Sequence, residues 1–248
     1  RAYNTTYKYH LAEFGFSDVW YKNLRFGLGL RFEYYKYKDF LFKKPELTGL
    51  DVESEHFLSY FAQVYYSTFD KGYFPSKGTE FKAAYSLYTD NMAQYNDHAP
   101  FSALSGSWAS VVPVTRRFSI IPSIYGRVLI GKDIAYPLQN AIGGEVYGLY
   151  IPQQLPFAGV TNMELMDNSI MIASVKLRQR MGSIHYLTLT GNYGLTDSHF
   201  FEILKGKQLF GISAGYGMDS MFGPLEITFG YSNQTDKGSC YVNLGYYF

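Results

Sequence analysis

Apolar and polar residues alternate along this chain in segments of about ten residues, separated by turn-like or loop-like breaks. Between Leu24 and Glu33, leucine and phenylalanine occupy every second position, with arginine, glycine and glutamate between them. Successive side chains of a strand point to opposite faces, so this pattern predicts strands with one apolar and one polar face. It recurs and predicts about eleven strands, near residues 3–16, 24–33, 57–69, 81–87, 101–114, 118–131, 169–180, 185–195, 209–218, 224–231 and 239–248.

Two of these predicted strands contain proline. Pro113 and Pro122 weaken the strands at 101–114 and 118–131, because proline removes a hydrogen bond from the ladder of a sheet. The alternation still places Tyr125 and Arg127 together on the polar side of the second one.

Alternation alone does not separate a soluble sandwich from a membrane barrel, since both have strands with two unlike faces. The number of strands and the composition favour the barrel. The 248 residues include 25 tyrosines, 20 phenylalanines and 24 glycines, which suits aromatic-rich strands rather than helices. We therefore predict an all-β fold, a transmembrane antiparallel β-barrel, whose aromatic residues near the strand ends form interfacial girdles.

Charge and cysteine content exclude other classes. The formal net charge is +1 and there is no basic stripe, which argues against nucleic acid as a partner. The single cysteine, Cys240, excludes an internal disulfide framework. No apolar run approaches the roughly 18 residues that a membrane-spanning helix requires.

The longest break between predicted strands covers residues 132–167. Loops of more than about 12 to 15 residues without their own periodicity are uncommon, and they are usually functional. This loop is apolar and aromatic where a solvated loop would be polar, for example at Ile134, Leu138 and Leu149. We expect it to fold into the lumen enclosed by the strands.

The strand count also bears on domain organisation. Single-chain bacterial barrels have an even number of strands, and an open sheet edge cannot lie unpaired in lipid. The sequence gives about eleven strands and starts at Arg1 within a strand-like pattern, so we expect several strands before Arg1. Residues 1–248 are accordingly predicted to form one barrel domain that is incomplete at its N-terminal side.

Motifs that suggest catalysis or metal binding have simpler explanations. Residues 211–215 match the G-x-S-x-G pattern of a nucleophile elbow around Ser213, but an elbow needs a sharp turn and a helix, whereas alternation continues through Gly217. We interpret the run as a strand whose small residues leave room for the long loop. The five histidines are not clustered in the sequence, so no metal site is expected. No catalytic residue and no cofactor are expected in this chain.

Three basic residues share the polar face of one predicted strand. Lys176, Arg178 and Arg180 recur at every second position. Two interpretations stay open, a basic ladder along the lumen or a solvated face whose cations pair with Glu145 or Glu226.

Four stretches of the sequence resemble a known family. They are the turn at residues 69–78, the Gly143-Gly144 pair, the Gly223-Pro224-Leu225 start of a strand and the closing run Asn243-Leu244-Gly245-Tyr246-Tyr247-Phe248. In order and spacing they resemble the surface-antigen barrels of the BamA/TamA superfamily. Within it, residues 135–140 and 152–157 look most like the C-terminal barrel of Bacteroidota patatin-like phospholipases. The resemblance covers nearly the whole chain.

The resemblance implies a barrel of about sixteen strands and a long loop that enters its lumen. In the family, the loop tip reads Val-Arg-Gly-Phe or Val-Arg-Gly-Tyr, and the arginine meets an aspartate on a strand. Here the tip is Val146-Tyr147-Gly148, and Asn192 replaces the aspartate. With both charges absent, we expect a neutral hydrogen bond between Tyr147 and Asn192 to hold the loop. The site residues implied for the loop are Gly143, Gly144, Val146, Tyr147 and Gly148, whose glycines would let the backbone approach the wall.

The resemblance also implies location, partners and function. Tyr246 and Phe248 would close the last strand as the signal for the barrel-assembly machinery. The expected location is the bacterial outer membrane, with its lipid, the assembly machinery and other outer-membrane subunits as partners. The expected function is to anchor or translocate a patatin-like lipid hydrolase domain encoded upstream of Arg1. Two alternatives stay open, a protein-assembly barrel of the BamA type and a channel for small solutes.

Overall fold

The computed structural model describes residues 5–40, 54–95, 97–145, 151–161, 163–235 and 238–245. In chain order, the strands are β1 (Thr5–Tyr21), β2 (Leu24–Phe40), β3 (Glu55–Ser67), β4 (Gly78–Thr89), β5 (Phe101–Pro113), β6 (Phe118–Ile130), β7 (Asn140–Ile142), β8 (Gln154–Leu155), β9 (Leu165–Asp167), β10 (Ser169–Met181), β11 (His185–Asp197), β12 (Lys207–Ser220), β13 (Gly223–Ser232) and β14 (Gly238–Leu244). One sheet contains eleven of them in the order β1 to β6 and then β10 to β14, which confirms the predicted number.

The two faces of this sheet differ in chemistry and in exposure. In β11, Thr188, Thr190 and Asn192 are each 8% exposed, whereas Leu187 and Leu189 are 45% and 44% exposed. A soluble protein buries its apolar side chains, so a sandwich would show the opposite arrangement. Apolar residues outside and polar residues inside are the arrangement of a transmembrane barrel. We name the buried polar face the inner face and the exposed apolar face the outer face.

Connections between consecutive strands differ in length at the two ends of the sheet. At one end, which we name the short-turn end, the connections cover residues 22–23, 68–77, 114–117, 182–184 and 221–222. At the opposite end, the long-loop end, the described connections include residues 131–168 and 198–206. Outer-membrane barrels show the same asymmetry, with short periplasmic turns and longer extracellular loops.

The proline-containing strands β5 and β6 both form. The ladder between them pairs Ala109 with Ser123 and resumes where Val112 pairs with Ile120, so it is interrupted beside Pro122. On the other side of β6, the pairing with β10 continues through Pro122 without a break. The missing N–H group of proline is therefore accommodated at a gap in one ladder, and the weakening that the sequence suggested is local.

The long loop contains short regular elements that the sequence pattern did not indicate. Its strands β7, β8 and β9 form a separate sheet, in which β8 runs parallel and β9 antiparallel to β7. Residues Tyr136–Leu138 form a short 3-10 helix. Strands of two or three residues are too short to show a period of two, which is why alternation missed them.

Two apolar clusters lie on the inner face, and the long loop contributes to both. The first is largely aromatic and contains Tyr35, Phe57, Tyr88, Tyr95, Phe101, Ala103, Leu129 and Leu138. The second joins loop and strand residues and contains Ile142, Phe157, Val160, Ile170, Ile172 and Leu209. Within the described ranges, no helix has the length and apolar character needed to cross a membrane.

Candidate functional site: the seat of the long loop

The base of the long loop is fastened to β6 by a buried arginine. Arg127 is 9% exposed and donates to the carbonyl oxygen of Leu138 at 2.7 Å and to Oδ1 of Asn140 at 2.8 Å. The Asn140 amide donates in turn to the carbonyl oxygens of Arg127 and Asn168, both at 2.9 Å. Asn140 therefore joins the beginning of the loop to its end and to the barrel wall.

Farther along the loop, Phe157 lies directly on the inner face. It is fully buried, and it packs where β11 and β12 carry glycine instead of a side chain. A Cβ added to Gly211 would lie 2.1 Å from the carbonyl oxygen of Ala158 and 2.7 Å from Cε1 of Phe157. A Cβ added to Gly194 would lie 3.0 Å from Cε2 of the same ring. Side chains at these positions would occupy the space that the loop now fills.

A third glycine, Gly230, gives the loop a similar close contact with β13. A Cβ added to Gly230 would lie 2.6 Å from the backbone nitrogen of Gly159, and one added to Gly159 would lie 2.1 Å from the carbonyl carbon of Tyr231. Gly159 also has a φ of +77°, a conformation that glycine adopts most readily. The backbone of the loop therefore lies directly against the backbone of β13 at this point. We name Gly194, Gly211 and Gly230 the glycine seat.

Tyr125 connects the loop to Asn192, the residue that stands where the resembling family has an aspartate. Its hydroxyl donates to the carbonyl oxygen of Pro156 at 2.7 Å, and the Asn192 amide donates to the same hydroxyl at 3.0 Å. The Ser174 hydroxyl ends this series of hydrogen bonds and donates to Oδ1 of Asn192 at 3.5 Å. Through Tyr125, Asn192 is thus hydrogen-bonded indirectly to the loop.

Glu145 connects the loop to β12 and β14. The Ser213 hydroxyl donates to Oε1 of Glu145 at 2.6 Å, and the Asn243 amide donates to its main-chain oxygen at 2.8 Å. Burial raises the pKa of Glu145 and the nearby charge of Glu226 acts in the same direction, while the bond from Ser213 and the charge of Lys176 oppose them. The net direction is upward, because removing this carboxylate from water disfavours its charged form.

Further contacts come from strands that are far apart in the sheet. Gln153 of the loop donates to the hydroxyl of Tyr35 in β2 at 2.7 Å. Tyr241 in β14 donates to the carbonyl oxygen of Val160 at 3.1 Å. These strands are the second and the eleventh in sheet order, so the sheet curves around the loop.

The turn at residues 68–77 covers the inner face from the short-turn end. Phe74 stacks on Tyr186 of β11 with ring centroids 4.5 Å apart and planes inclined by 8°. A Cβ added to Gly217 of β12 would lie 2.7 Å from the Phe74 ring. Arg178 of β10 donates to the carbonyl oxygen of Pro75. The turn thus crosses from β3 and β4 to strands on the far side of the curved sheet.

A cavity of about 380 Å³ lies between this turn and the long loop. Its floor is the inner face of β10 to β13, and we name it the chamber. Its lining combines apolar residues of the turn and the long loop, such as Phe74 and Phe157, with charged and hydroxyl-bearing residues, among them Lys176, Arg178, Glu145, Glu226, Thr190 and Thr228. Lys176 lies 4.0 Å from Glu226, which agrees with the interpretation of a polar face paired with Glu226.

The structure describes part of the site that the sequence indicated. Asn192 lies on the inner face, 8% exposed. Val146, Tyr147 and Gly148 of the loop tip, and Tyr246 and Phe248 of the closing run, lie outside the described residues. The hydrogen bond expected between Tyr147 and Asn192 therefore stays a prediction.

Gly143 and Gly144 are described, and both have positive φ angles, of 123° and 90°. A Cβ added to Gly143 would lie 2.0 Å from the carbonyl oxygen of Thr161 and 2.8 Å from Cγ1 of Val160. The close approach at Gly143 is thus within the loop, not against the barrel wall as the sequence led us to expect. Its role is to fold the loop tightly on itself.

Two chemical motifs can also be placed. Ser213 lies in the middle of β12, which pairs with β11 and β13 on both sides, so the G-x-S-x-G run is a continuous strand as interpreted. Asp197, at the end of β11, and His199 and Glu202, in the loop that follows, each place one possible ligand atom within 4.8 Å of the others, a grouping that the spacing of the histidines did not indicate. His199 and Glu202 are exposed, and Oδ1 of Asp197 accepts a hydrogen bond from the His199 backbone at 2.7 Å.

The sequence matches the OMP85 superfamily over residues 3–248. The chain belongs to this superfamily, and with the fold described above it is an outer-membrane β-barrel. No curated protein matches the sequence.

Among solved structures, the chain is similar to the crystal structure of BamA from Haemophilus ducreyi lacking POTRA domains 1–3. The TM-score is 0.62 at 11% sequence identity, with 96% of this chain and 55% of the other covered. At this identity the likeness shows the fold, a transmembrane antiparallel β-barrel. The chain spans about half the length of the BamA chain.

Proposed function

We propose that this barrel anchors or translocates a patatin-like lipid hydrolase domain carried upstream of Arg1. The observation that carries the proposal is the filled inner face, where the glycine seat holds Phe157 and the turn at 68–77 lies over Tyr186. A lumen occupied from both ends suits a membrane anchor better than an open pore. The sequence resemblance to barrels of Bacteroidota patatin-like phospholipases names the attached domain.

The decisive experiment begins with the reading frame upstream of Arg1. The proposal expects a G-x-S-x-G serine followed by a helix, and phospholipase activity in outer membranes that contain the full-length protein. Replacing that serine by alanine should abolish the activity and leave the amount of barrel in the membrane unchanged. A reading frame without a hydrolase domain would refute the proposal.

A second candidate is a protein-assembly barrel, favoured by the likeness of the fold to BamA. In that case depletion of the protein would reduce the amounts of other outer-membrane barrels. The anchoring proposal expects their amounts to stay constant. The partners proposed in both cases are outer-membrane lipid and the barrel-assembly machinery, and other outer-membrane subunits join them in the second.

The filled inner face argues against a channel for small solutes. Planar-bilayer recordings of the purified full-length protein test this directly. We expect little steady conductance, because the long loop and the turn at 68–77 both lie over the inner face. A large and stable conductance would favour the channel over both other functions.

A further inference from the structure

A groove crosses the outer face of the sheet. Its volume is about 690 Å³, and its lining reaches from Trp108 of β5 to Tyr231 of β13. Sites that hold small organic molecules usually have volumes of about 300–1,000 Å³. We name this feature the outer groove.

Two small residues form the floor of the outer groove. Ala173 of β10 pairs with Tyr193 of β11, and Val175 pairs with Gly191. Ala173 and Gly191 therefore lie on a diagonal between neighbouring strands, with Tyr193 on one side of it and Val175 on the other. A Cβ added to Gly191 would meet no atom within 4 Å, so the space above the backbone is open there.

The walls of the outer groove are apolar and partly aromatic. Phe210 of β12 lies beside Tyr193, with ring centroids 5.0 Å apart. Ile212 is the neighbour of Gly191 on the same strand, β12. Phe210 is 50% exposed and Ile212 is 52% exposed. The walls thus offer apolar surface that the described part of the chain leaves half uncovered.

The polar residues at the outer groove contribute little polar surface to it. Ser123, Ser174 and Asn192 also line the chamber, so their side chains belong to the inner face and they border the groove with backbone atoms. Asn233 is on the outer face, and its Oδ1 accepts a hydrogen bond from the Phe210 backbone at 2.9 Å. The outer groove therefore suits an apolar ligand.

The position of the outer groove selects the ligand. In an outer-membrane barrel the outer face contacts lipid, and the groove is continuous with that face. Gly191 is the central residue of β11, and Tyr231 is the last residue but one of β13. The groove therefore extends from the middle of the sheet towards the long-loop end, a depth at which lipid acyl chains surround the barrel.

We propose that the outer groove binds one acyl chain of a membrane lipid, from the leaflet at the long-loop end. Ala173 and Gly191 let the chain lie close to the backbone, while Tyr193 and Val175 contact it from opposite sides. A chain in a groove contacts protein on several sides, so it gains more dispersion contacts than a chain on a convex wall. This site is independent of the proposed anchoring function, and its test makes no use of an upstream domain.

Trp108 is a natural reporter of the site. It pairs with Ile124 of β6, which pairs with Ala173 on the groove floor. The full-length protein in detergent micelles is titrated with a phospholipid brominated on its acyl chains, because bromine quenches tryptophan fluorescence at close range. The contribution of Trp108 is the difference between the protein and its Trp108→Phe variant, so tryptophans elsewhere cancel. A site saturates at a low fraction of lipid, whereas random contact gives quenching in proportion to that fraction.

Ala173→Leu fills the floor of the groove. We expect it to weaken the apparent affinity by at least about tenfold, because the added atoms occupy the space of the chain. Ala62→Leu is the matched control, since Ala62 is an exposed residue of the outer face on β3, outside the groove. Gly191→Leu fills the same floor from β11 and replaces Ala173→Leu if that variant does not fold. Heat-modifiable gel mobility confirms the folded state of each variant.

Saturable quenching that Ala173→Leu weakens and Ala62→Leu leaves unchanged would support the site. Quenching in simple proportion to the lipid fraction, or equal responses of the two variants, would overturn it. Absence of quenching, together with a dimer that Ala173→Leu dissociates, would also overturn it. In that case a second copy of the chain, and not a lipid, would occupy the outer groove.

Discussion

Gly211→Ala is the sharpest test of the glycine seat. The added Cβ would lie 2.1 Å from the carbonyl oxygen of Ala158 and 2.7 Å from the ring of Phe157. The nearer atom belongs to the backbone, so rotation of a side chain cannot relieve the clash and the loop must move. Overpacking of this kind costs about 1–3 kcal/mol. Loss of all the packing around Phe157 would cost about 3–5 kcal/mol, which sets the upper limit.

Gly191→Ala is the matched control. Gly191 lies on β11 beside Ile212 of β12, and an added Cβ there would meet nothing within 4 Å. Its effect on the free energy of unfolding should stay within about 0.5 kcal/mol. The free energy of unfolding of both variants is compared with that of the parent by titration with urea. Heat-modifiable gel mobility is the readout of the folded barrel.

The position of the loop is read out separately. A cysteine replaces Ala158 in a Cys240→Ser background, and its labelling by a bulky, water-soluble maleimide is timed in the folded protein. Labelling should be slow in the parent and in Gly191→Ala, and much faster in Gly211→Ala. Equal stability and equal labelling in the two glycine variants would refute the seat.

Four further predictions concern other parts of the chain. Leu28→Arg places a charge on the outer face and should cost about 2–4 kcal/mol, and unchanged folding into detergent would contradict that orientation. Because the pKa of Glu145 is raised above 4.5, its contribution to stability should fall as the pH rises through that pKa; Glu145→Gln should flatten the profile, and a slope equal to the parent's would argue against it. Deleting Phe248 should lower the yield of barrel in the outer membrane, measured by fractionation; full yield would show that the assembly signal lies elsewhere. Cysteines at Tyr147 and Asn192, with the native cysteine replaced, should crosslink under mild oxidation, whereas free labelling on intact cells without a crosslink would place the loop tip outside.

The strands followed from the sequence because alternation is a local property. Each pair of neighbouring residues reports which face is apolar, so the number of strands in the main sheet and the polar placement of Tyr125 and Arg127 were both predicted. The extent of β2 was underestimated. It continues to Phe40 through Tyr34 and Tyr35, where two adjacent aromatic residues obscure the period of two.

The contacts of the site could be predicted only in part. The small residues around Ser213 indicated space for the loop, but not that Phe157 would fill it. Gly211 and Phe157 are far apart in sequence, and no local pattern reports such a contact. Likewise, a cluster of glycine, proline and serine predicts the turn at 68–77, but not that Phe74 folds back onto Tyr186.

The position of the glycine seat in the chain has a consequence for assembly. Gly194, Gly211 and Gly230 belong to β11, β12 and β13, and all three are synthesised after the loop that rests on them. Asn243 and Tyr241, which bind the loop from β14, come later still. The docked loop is therefore among the last native contacts to form, since its partners must first be paired in the sheet. Burial of the Phe157 side chain would then distinguish barrels whose C-terminal strands have paired around the loop from stalled intermediates. No label on the strands themselves would be needed.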